Sequence, residues 1–444
     1  MLFKNYNQLI ENGQTPELKK KRRDVLDILS AALESVNPYL AIERVVRNGQ
    51  IVFDAETIDT ASFDNVYLVG FGKASIGMAQ AVCDSIKITK GAVVTNDKSA
   101  KLQRNNIEVV VGGHPIPNNG SIQGAEKILD VVKRCSENDL LIVLISGGGS
   151  ALLCKPRVSL ESIQETTNLL LKSGADINEI NTIRKHLSYV KGGQLVKNTK
   201  CVVASLIISD IVGDPLEFIS SGPTSPDSTT FSDAKKVLET YDLWKEVPDE
   251  VRKVIDEGIS GKISETPKKD DLVFKQVFNF VVANNEIACK AALEKAKSLG
   301  YVGKLLTTSL TGEARDIGRY LLEKAKSSII NESTIFITGG ETTVTVKGSG
   351  KGGRNLELVL GSIEEIANTD MVLASFATDG IDGNCDAAGA IVDRFTSIKA
   401  KEKGLIFKKF LEENDSYGFF SKLNDVIVTG PTGTNVMDIQ AIIT

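Results

Sequence analysis

The sequence predicts an α/β protein of two domains, the larger built on a doubly wound parallel sheet and the smaller on a mixed sheet. Three observations carry this expectation. Short apolar runs alternate with helical patterns over most of the 444 residues, as parallel strands joined by crossover helices require. In the first half those runs are near-continuous in Val, Ile and Leu, the composition of strands covered on both faces. The stretch 258–275, GISGKISETPKKDDLVFK, then breaks the alternation with charge, a proline and no apolar period, which marks a domain boundary.

Taken in order, strands are expected at 66–70, 91–95, 107–111, 140–145 and 202–208. Helices are expected at 76–85, 121–135, 160–173 and 177–190, the third opening on Ser159 as a cap. Beyond the break, strands at 278–282, 305–308, 334–338 and 372–376 alternate with helices at 286–299, 313–327 and 355–367. A hairpin strand at 342–346 would add an antiparallel pair. Lys19 to Arg23, KKKRR, reads as the solvated end of an amphipathic helix running through Leu26, Ile28 and Leu29.

Composition narrows the function. Net charge is −5, with 42% hydrophobic and 25% charged residues, so no basic face argues for nucleic acid or an anionic membrane surface. The six cysteines are dispersed and form no C-x-x-C pair, which suits small core residues in a reducing cytoplasm better than zinc or a disulfide framework. No apolar stretch reaches membrane-spanning length, and the N-terminus lacks a basic region followed by an apolar run. With only His114 and His186 present, acid and base work falls to carboxylates, lysine or arginine.

In doubly wound sheets ligands bind beyond the carboxyl ends of the strands, so the segments that follow them are the candidate sites. GFGKAS, 70–75, sets glycine amides and Lys73 at the start of a helix, either to meet an anion or as a tight turn with an exposed lysine. GGHPIPNNGS, 112–121, carries His114 on a proline-stiffened loop that suits positioning a substrate. LISGGGSALL, 144–153, puts Gly147, Gly148, Gly149 and Ser150 before a helix; three glycines in a row fit an anion nest and not a Walker loop. Arg184, Lys185 and Lys191 lie near the end of the next helix, where cations are also ordinary dipole partners. Asp210 directly follows an apolar strand, within reach of a metal or a hydroxyl proton. In the second half Asn284 ends a strand and Glu341 follows ITGG. Arg354 sits with Lys351 in a glycine loop, and Asp379, Asp382 and Asp386 crowd ATDGIDGNCDAAG, 377–389, which lacks the EF-hand spacing. GPTGTNVMDI, 430–439, is one more small-residue turn before a terminal strand. Glycine loops, convergent cations and aspartates after strands are what phosphoryl transfer uses.

These motifs, with NTIRKHLSYVKGGQL, SDIVGDPLEFISSGPTSPD, ITGGETTV, GKGGRN and FATDGIDGN, resemble in order the glycerate 2-kinase family, also known as class II glycerate kinase or the MOFRL-containing family. The resemblance implies a Rossmann-like domain over 1–265 and a MOFRL-type α/β domain over 266–444, with the active site in the cleft between them. It implies transfer of the ATP γ-phosphate to the 2-hydroxyl of D-glycerate, with Mg²⁺ or another divalent cation. Lys73 and Arg354 match the family lysine and arginine associated with substrate and catalysis, with His114 beside the substrate. Asp210 is the expected proton acceptor, and Asp210 with Asp379 the expected metal carboxylates. Gly147, Gly148, Gly149, Ser150, Lys191, Asn284 and Glu341 are the expected nucleotide and phosphate contacts. A homodimer stays open as an assembly. Two other readings stay open as well. One is an NAD(P)-dependent hydroxypyruvate reductase, from Gly70, Gly72 and Gly77 followed by Asp97, a loose echo of the dinucleotide fingerprint. The other is a non-catalytic nucleotide or sugar-acid sensor, since fold does not set function.

Overall fold

A computed structural model of the chain describes residues 2–197, 199–328 and 333–444. The chain forms two compact units, Pro38–Val282 and Met1–Asn37 with Ala283–Thr444.

In the first unit the expected strands form as β1 (Val66–Phe71), β2 (Lys90–Thr95), β3 (Ile107–Val111), β4 (Leu140–Ile145), β5 (Val202–Ile208) and β6 (Val277–Ala283). Among the described residues they line up in the order β3-β2-β1-β4-β5-β6, parallel from β3 through β5. All of β4, LLIVLI, is buried. Each such side chain contributes about 1.5–3 kcal/mol on leaving water, which is why the apolar runs become the central strands. From β1 the chain moves outward to β2, and from β4 outward the other way to β5. Their carboxyl ends therefore part at a switch point and open a crevice there.

Caps set the helices around this sheet. The Asn118 side chain accepts the Ser121 N–H in a capping box at the head of helix Asn119–Val132, and Ser159 caps Leu160–Ser173 as the sequence suggests. The helix expected over 177–190 stops at His186, because Ser188 is drawn into an antiparallel bridge with Pro156.

The second unit carries β7 (Val302–Leu310), β8 (Thr334–Gly340), β9 (Val372–Ala377), β10 (Gly389–Val392), β11 (Val426–Ile427) and β12 (Asp438–Ile443). Their order among the described residues is β7-β8-β12-β9-β10-β11, with β7 and β8 parallel and the other pairs antiparallel. The antiparallel partner of β8 is thus the terminal strand, with Ile335 opposite Ile443 and Gly340 opposite Asp438. The hairpin strand expected at 342–346 does not form. Thr343 makes only an isolated parallel bridge with Glu313, and the edge of β8 it would have used is taken by β12.

The domain break expected between 265 and 266 is also corrected. The polar segment stays bound to the first unit: Asp227 N–H donates to Pro267 O at 3.0 Å and Phe231 N–H to Glu265 Oε1 at 3.0 Å. Only after β6 does the chain leave it. At the other end, helix Pro16–Ser35 packs on helix Asn285–Ser298, so residues 1–37 join the second unit. The solvated reading of Lys19 to Arg23 fails at Arg22, which is fully buried. Helical periodicity sets it on the face of Leu18, Val25, Leu26 and Leu29. There its Nε donates to Asp393 Oδ2 at 2.5 Å and its Nη1 to Asp425 Oδ1 at 2.8 Å.

Candidate active site

The crevice of the first unit is closed at its base by two glycine turns in contact. Gly72 has φ 120°, and a Cβ there would lie 2.2 Å from Ser146 Oγ, so only glycine lets the turn after β1 touch the turn after β4. The contact is hydrogen-bonded: Lys73 N–H donates to Gly147 O at 2.9 Å and Ala74 N–H to Ser146 Oγ at 3.1 Å. Gly148, at φ 82°, then starts the short helix Gly149–Leu152.

Candidate side chains gather over these glycines. A Cβ on Gly148 would meet His114 Cδ2 at 2.8 Å and Lys73 Cγ at 3.4 Å, and one on Gly147 would meet Asp210 Oδ2 at 2.3 Å. Ser150 Oγ bonds Ser221 Oγ at 2.9 Å. The Lys191 ammonium donates to Ser150 O at 2.6 Å and Leu153 O at 3.0 Å. The structure therefore brings Lys73, His114, Gly147, Gly148, Gly149, Ser150, Lys191 and Asp210 to one crevice. A cavity of about 430 Å³ opens from it, with His114, Ser150, Arg184, Lys191 and Asp210 in its wall.

Electrostatics separates the roles of these groups. Burial, and then the nearby Lys73 charge, lowers His114 below its ordinary value, so at neutral pH it is a neutral imidazole that can hydrogen-bond. Burial also lowers Lys191, to about 8, with the neighbouring Arg184 charge acting in the same direction and Cys154 against it. Lys191 is cationic at pH 7 and loses its charge as pH rises through about 8. The unfolded chain keeps that proton up to the ordinary 10.5, so Lys191 favours folding more as pH rises from about 8 to 10.5, while its help to an anion falls. We expect the KM of an anionic ligand of this cavity to rise above about pH 8; a KM that stays level to pH 9.5 would count against a Lys191 contact.

In the second unit Arg354 opens helix Arg354–Gly361. Its Nε donates to Asp438 Oδ2 at 2.5 Å and its Nη2 to Asp438 Oδ1 at 2.8 Å, while Nη1 faces Glu341 Oε1 at 3.2 Å. Asp382 accepts the N–H groups of Asn355 at 3.1 Å and Leu356 at 2.8 Å and so caps the same helix. Burial raises the Asp382 carboxyl to about 7 and the Asp438 carboxyl to about 6. Asp438, in turn, holds the Arg354 guanidinium well above its usual range, so that pair is charged at neutral pH. Asp379 Oδ1 accepts the Ile381 N–H at 3.1 Å, which shapes its own turn. Asn284 Oδ1 accepts the Ile287 N–H at 2.9 Å as the cap of helix Asn285–Ser298. Among the described residues no group of three or more His, Cys, Asp or Glu side chains is placed to hold a metal ion.

Asp438, the partner that orients Arg354, escaped the sequence reading. Its only signal is a lone acid at the mouth of an otherwise apolar strand, DIQAII.

Comparison with known proteins agrees with this architecture. Residues 24–256 match the family described as a domain of unknown function, DUF4147, and residues 334–438 match the MOFRL family. A glycerate 2-kinase of Pyrococcus horikoshii is 43% identical over 429 residues, covering 93% of this chain and 95% of the relative. A D-glycerate 2-kinase of Thermotoga maritima is 40% identical over 415 residues, covering 90% and 96%. A crystal structure of a Thermotoga maritima glycerate kinase superposes with a TM-score of 0.84 at 38% identity, over 95% of this chain and 98% of that one. The chain, which joins a DUF4147 region to a MOFRL region, belongs to the glycerate 2-kinase family.

Proposed function

We propose that the protein transfers the γ-phosphoryl group of ATP to the 2-hydroxyl of D-glycerate, releasing 2-phospho-D-glycerate and ADP. The observation that carries this reading is the meeting of Lys73, His114 and Asp210 over the triple-glycine turn at the switch point. It supplies an anion nest, a cation, a neutral hydrogen-bonding ring and a carboxylate within one crevice. Family membership supports the substrate pair.

Phosphoryl transfer asks little covalent chemistry of the protein; the work is positioning and charge. Asp210 accepts the proton that leaves the 2-hydroxyl as its oxygen bonds to phosphorus and the bond to ADP breaks. The Gly147 to Ser150 turn holds phosphate oxygens, and neutral His114 orients the acid. Lys73 and Arg354 are the cations assigned to the glycerate carboxylate and the moving phosphoryl group.

A divalent ion such as Mg²⁺ fits the donors at hand. Among the described residues the donors on offer are single carboxylates, Asp210 and Asp379, and not a full protein cage. That suits an ion that keeps water and arrives with nucleotide phosphates, whose charge it neutralises. Asn284 and Glu341 keep their assignment as nucleotide contacts. The free thiols among the described residues suit a reducing compartment, and we place the protein in the cytoplasm.

Incubation with ATP, Mg²⁺ and D-glycerate, followed by ³¹P and ¹³C NMR, tests the reaction. Phosphate on C2 is the expected result, and phosphate on C3 overturns the regiochemistry. NADH oxidation with hydroxypyruvate and no phosphorylated product would instead support a reductase.

A further inference from the structure

The cavity that opens beside the triple glycine is far larger than a three-carbon hydroxy acid. Its volume of about 430 Å³ lies within the roughly 300–1,000 Å³ of pockets that enclose drug-sized ligands. Its wall is not that of a pure anion site either, because Ile163, Ile177, Leu187 and Phe218 line it with apolar carbon. Asn181 adds an amide to the same wall, with its Oδ1 held by the Ser221 hydroxyl at 3.1 Å.

Arg184 stands in this wall, where Asp210 is the one lining carboxylate among the described residues. It is largely buried, and among the described residues its guanidinium makes no ion pair or hydrogen bond. The charged neighbour beside it is another cation, Lys191. A desolvated guanidinium that makes no ion pair is unfavourable in a resting protein, and a second buried cation beside it adds repulsion. Against these two cations the wall sets one carboxylate, Asp210, and a bound anion would balance the remainder. Apolar walls, an amide and paired cations within one cavity describe a ligand with a flat apolar end and a highly anionic one.

We propose that this cavity seats a nucleoside triphosphate, its base between Ile163, Ile177, Leu187 and Phe218, and that Arg184 receives its phosphate chain. The inference rests on the kinase reading, of which it names the nucleotide side. Arg184 is thereby a substrate-binding residue and not merely a cation at a helix end.

Calorimetric titration of the full chain with the non-hydrolysable analogue AMP-PNP tests this, alongside steady-state kinetics in both substrates. Arg184→Gln is expected to weaken AMP-PNP by about tenfold or more, equivalent to about 1.4 kcal/mol, and to raise the KM for ATP similarly. The KM for glycerate should stay within about twofold. The Tm of the ligand-free variant should be equal or higher, since an uncompensated charge has gone. Ile177→Trp, at an exposed rim position, narrows the apolar slot and should also weaken AMP-PNP; it decides the matter if Arg184→Gln folds poorly. A rise in the KM for glycerate with AMP-PNP binding intact would give the cavity to the acid. Unchanged AMP-PNP binding in both variants, or none in the wild type, would equally overturn the proposal. If the wild type binds AMP-PNP through Arg184 yet forms no phosphorylated glycerate, the kinase reading falls and the nucleotide pocket stands.

Discussion

Arg354→Ala is expected to lower kcat/KM by about 100-fold or more, the scale on which removing one fixed transition-state charge acts. It should also lower stability. Asp438 is fully buried and receives two Arg354 hydrogen bonds, so truncation leaves a buried carboxyl without the cation that balances it. Breaking such a pair costs about 3–5 kcal/mol. Arg354→Lys separates the two effects. It keeps a charge but replaces the planar two-donor fork by a point cation, so stability should recover in part while activity stays low. Equilibrium unfolding read beside kinetics is the measurement. A folded Arg354→Ala protein within about threefold of wild-type kcat/KM would remove Arg354 from the reaction.

Gly147→Ala should show the opposite balance, with activity lost and the fold kept. The added methyl would fall 2.3 Å from Asp210 Oδ2 and 3.0 Å from its Cγ. That obstacle is the far end of a side chain and not backbone, so the carboxylate has to shift while the main chain stays. If Asp210 takes the hydroxyl proton, displacing it should reduce kcat by about 100-fold, the lower end of what a positioned base supplies. The Tm should change by less than about 3 °C, roughly 1 kcal/mol for a unit of this size. Gly148→Ala is the contrasting control, because φ 82° strains any residue with a Cβ. A kcat unchanged in stable Gly147→Ala would show that the Asp210 carboxylate is not needed where it lies.

Much of this site was legible in the chain because its signals are local. Apolar runs of the length of LLIVLI can only be satisfied inside a sheet, and the segment after each such run must lie at a strand end. GFGKAS and SGGGS therefore marked turns at strand ends, and Lys73, Gly147 and Asp210 with them, while the strand order made those turns meet at the switch point. The helix cap Ser159 belongs to the same class, since it acts on an amide three residues on.

The order of the elements, the glycine turns, the candidate cations and the family likeness were determined by the sequence alone. Tertiary structure alone decided which distant groups meet. Helix Pro16–Ser35 belongs to the second unit because its apolar face needs helix Asn285–Ser298 and its buried Arg22 needs Asp393 and Asp425. Glycine-rich sequence after β8 promised a hairpin, yet the last strand of the chain fills that edge. Asp438 reaches Arg354 across 84 residues, and Arg184 is left facing a cavity whose one lining carboxylate among the described residues is Asp210. Periodicity and propensity report on a residue's neighbours along the chain. The pairing of buried charges depends on which elements pack together, and it is settled only when the core closes and water is removed from them.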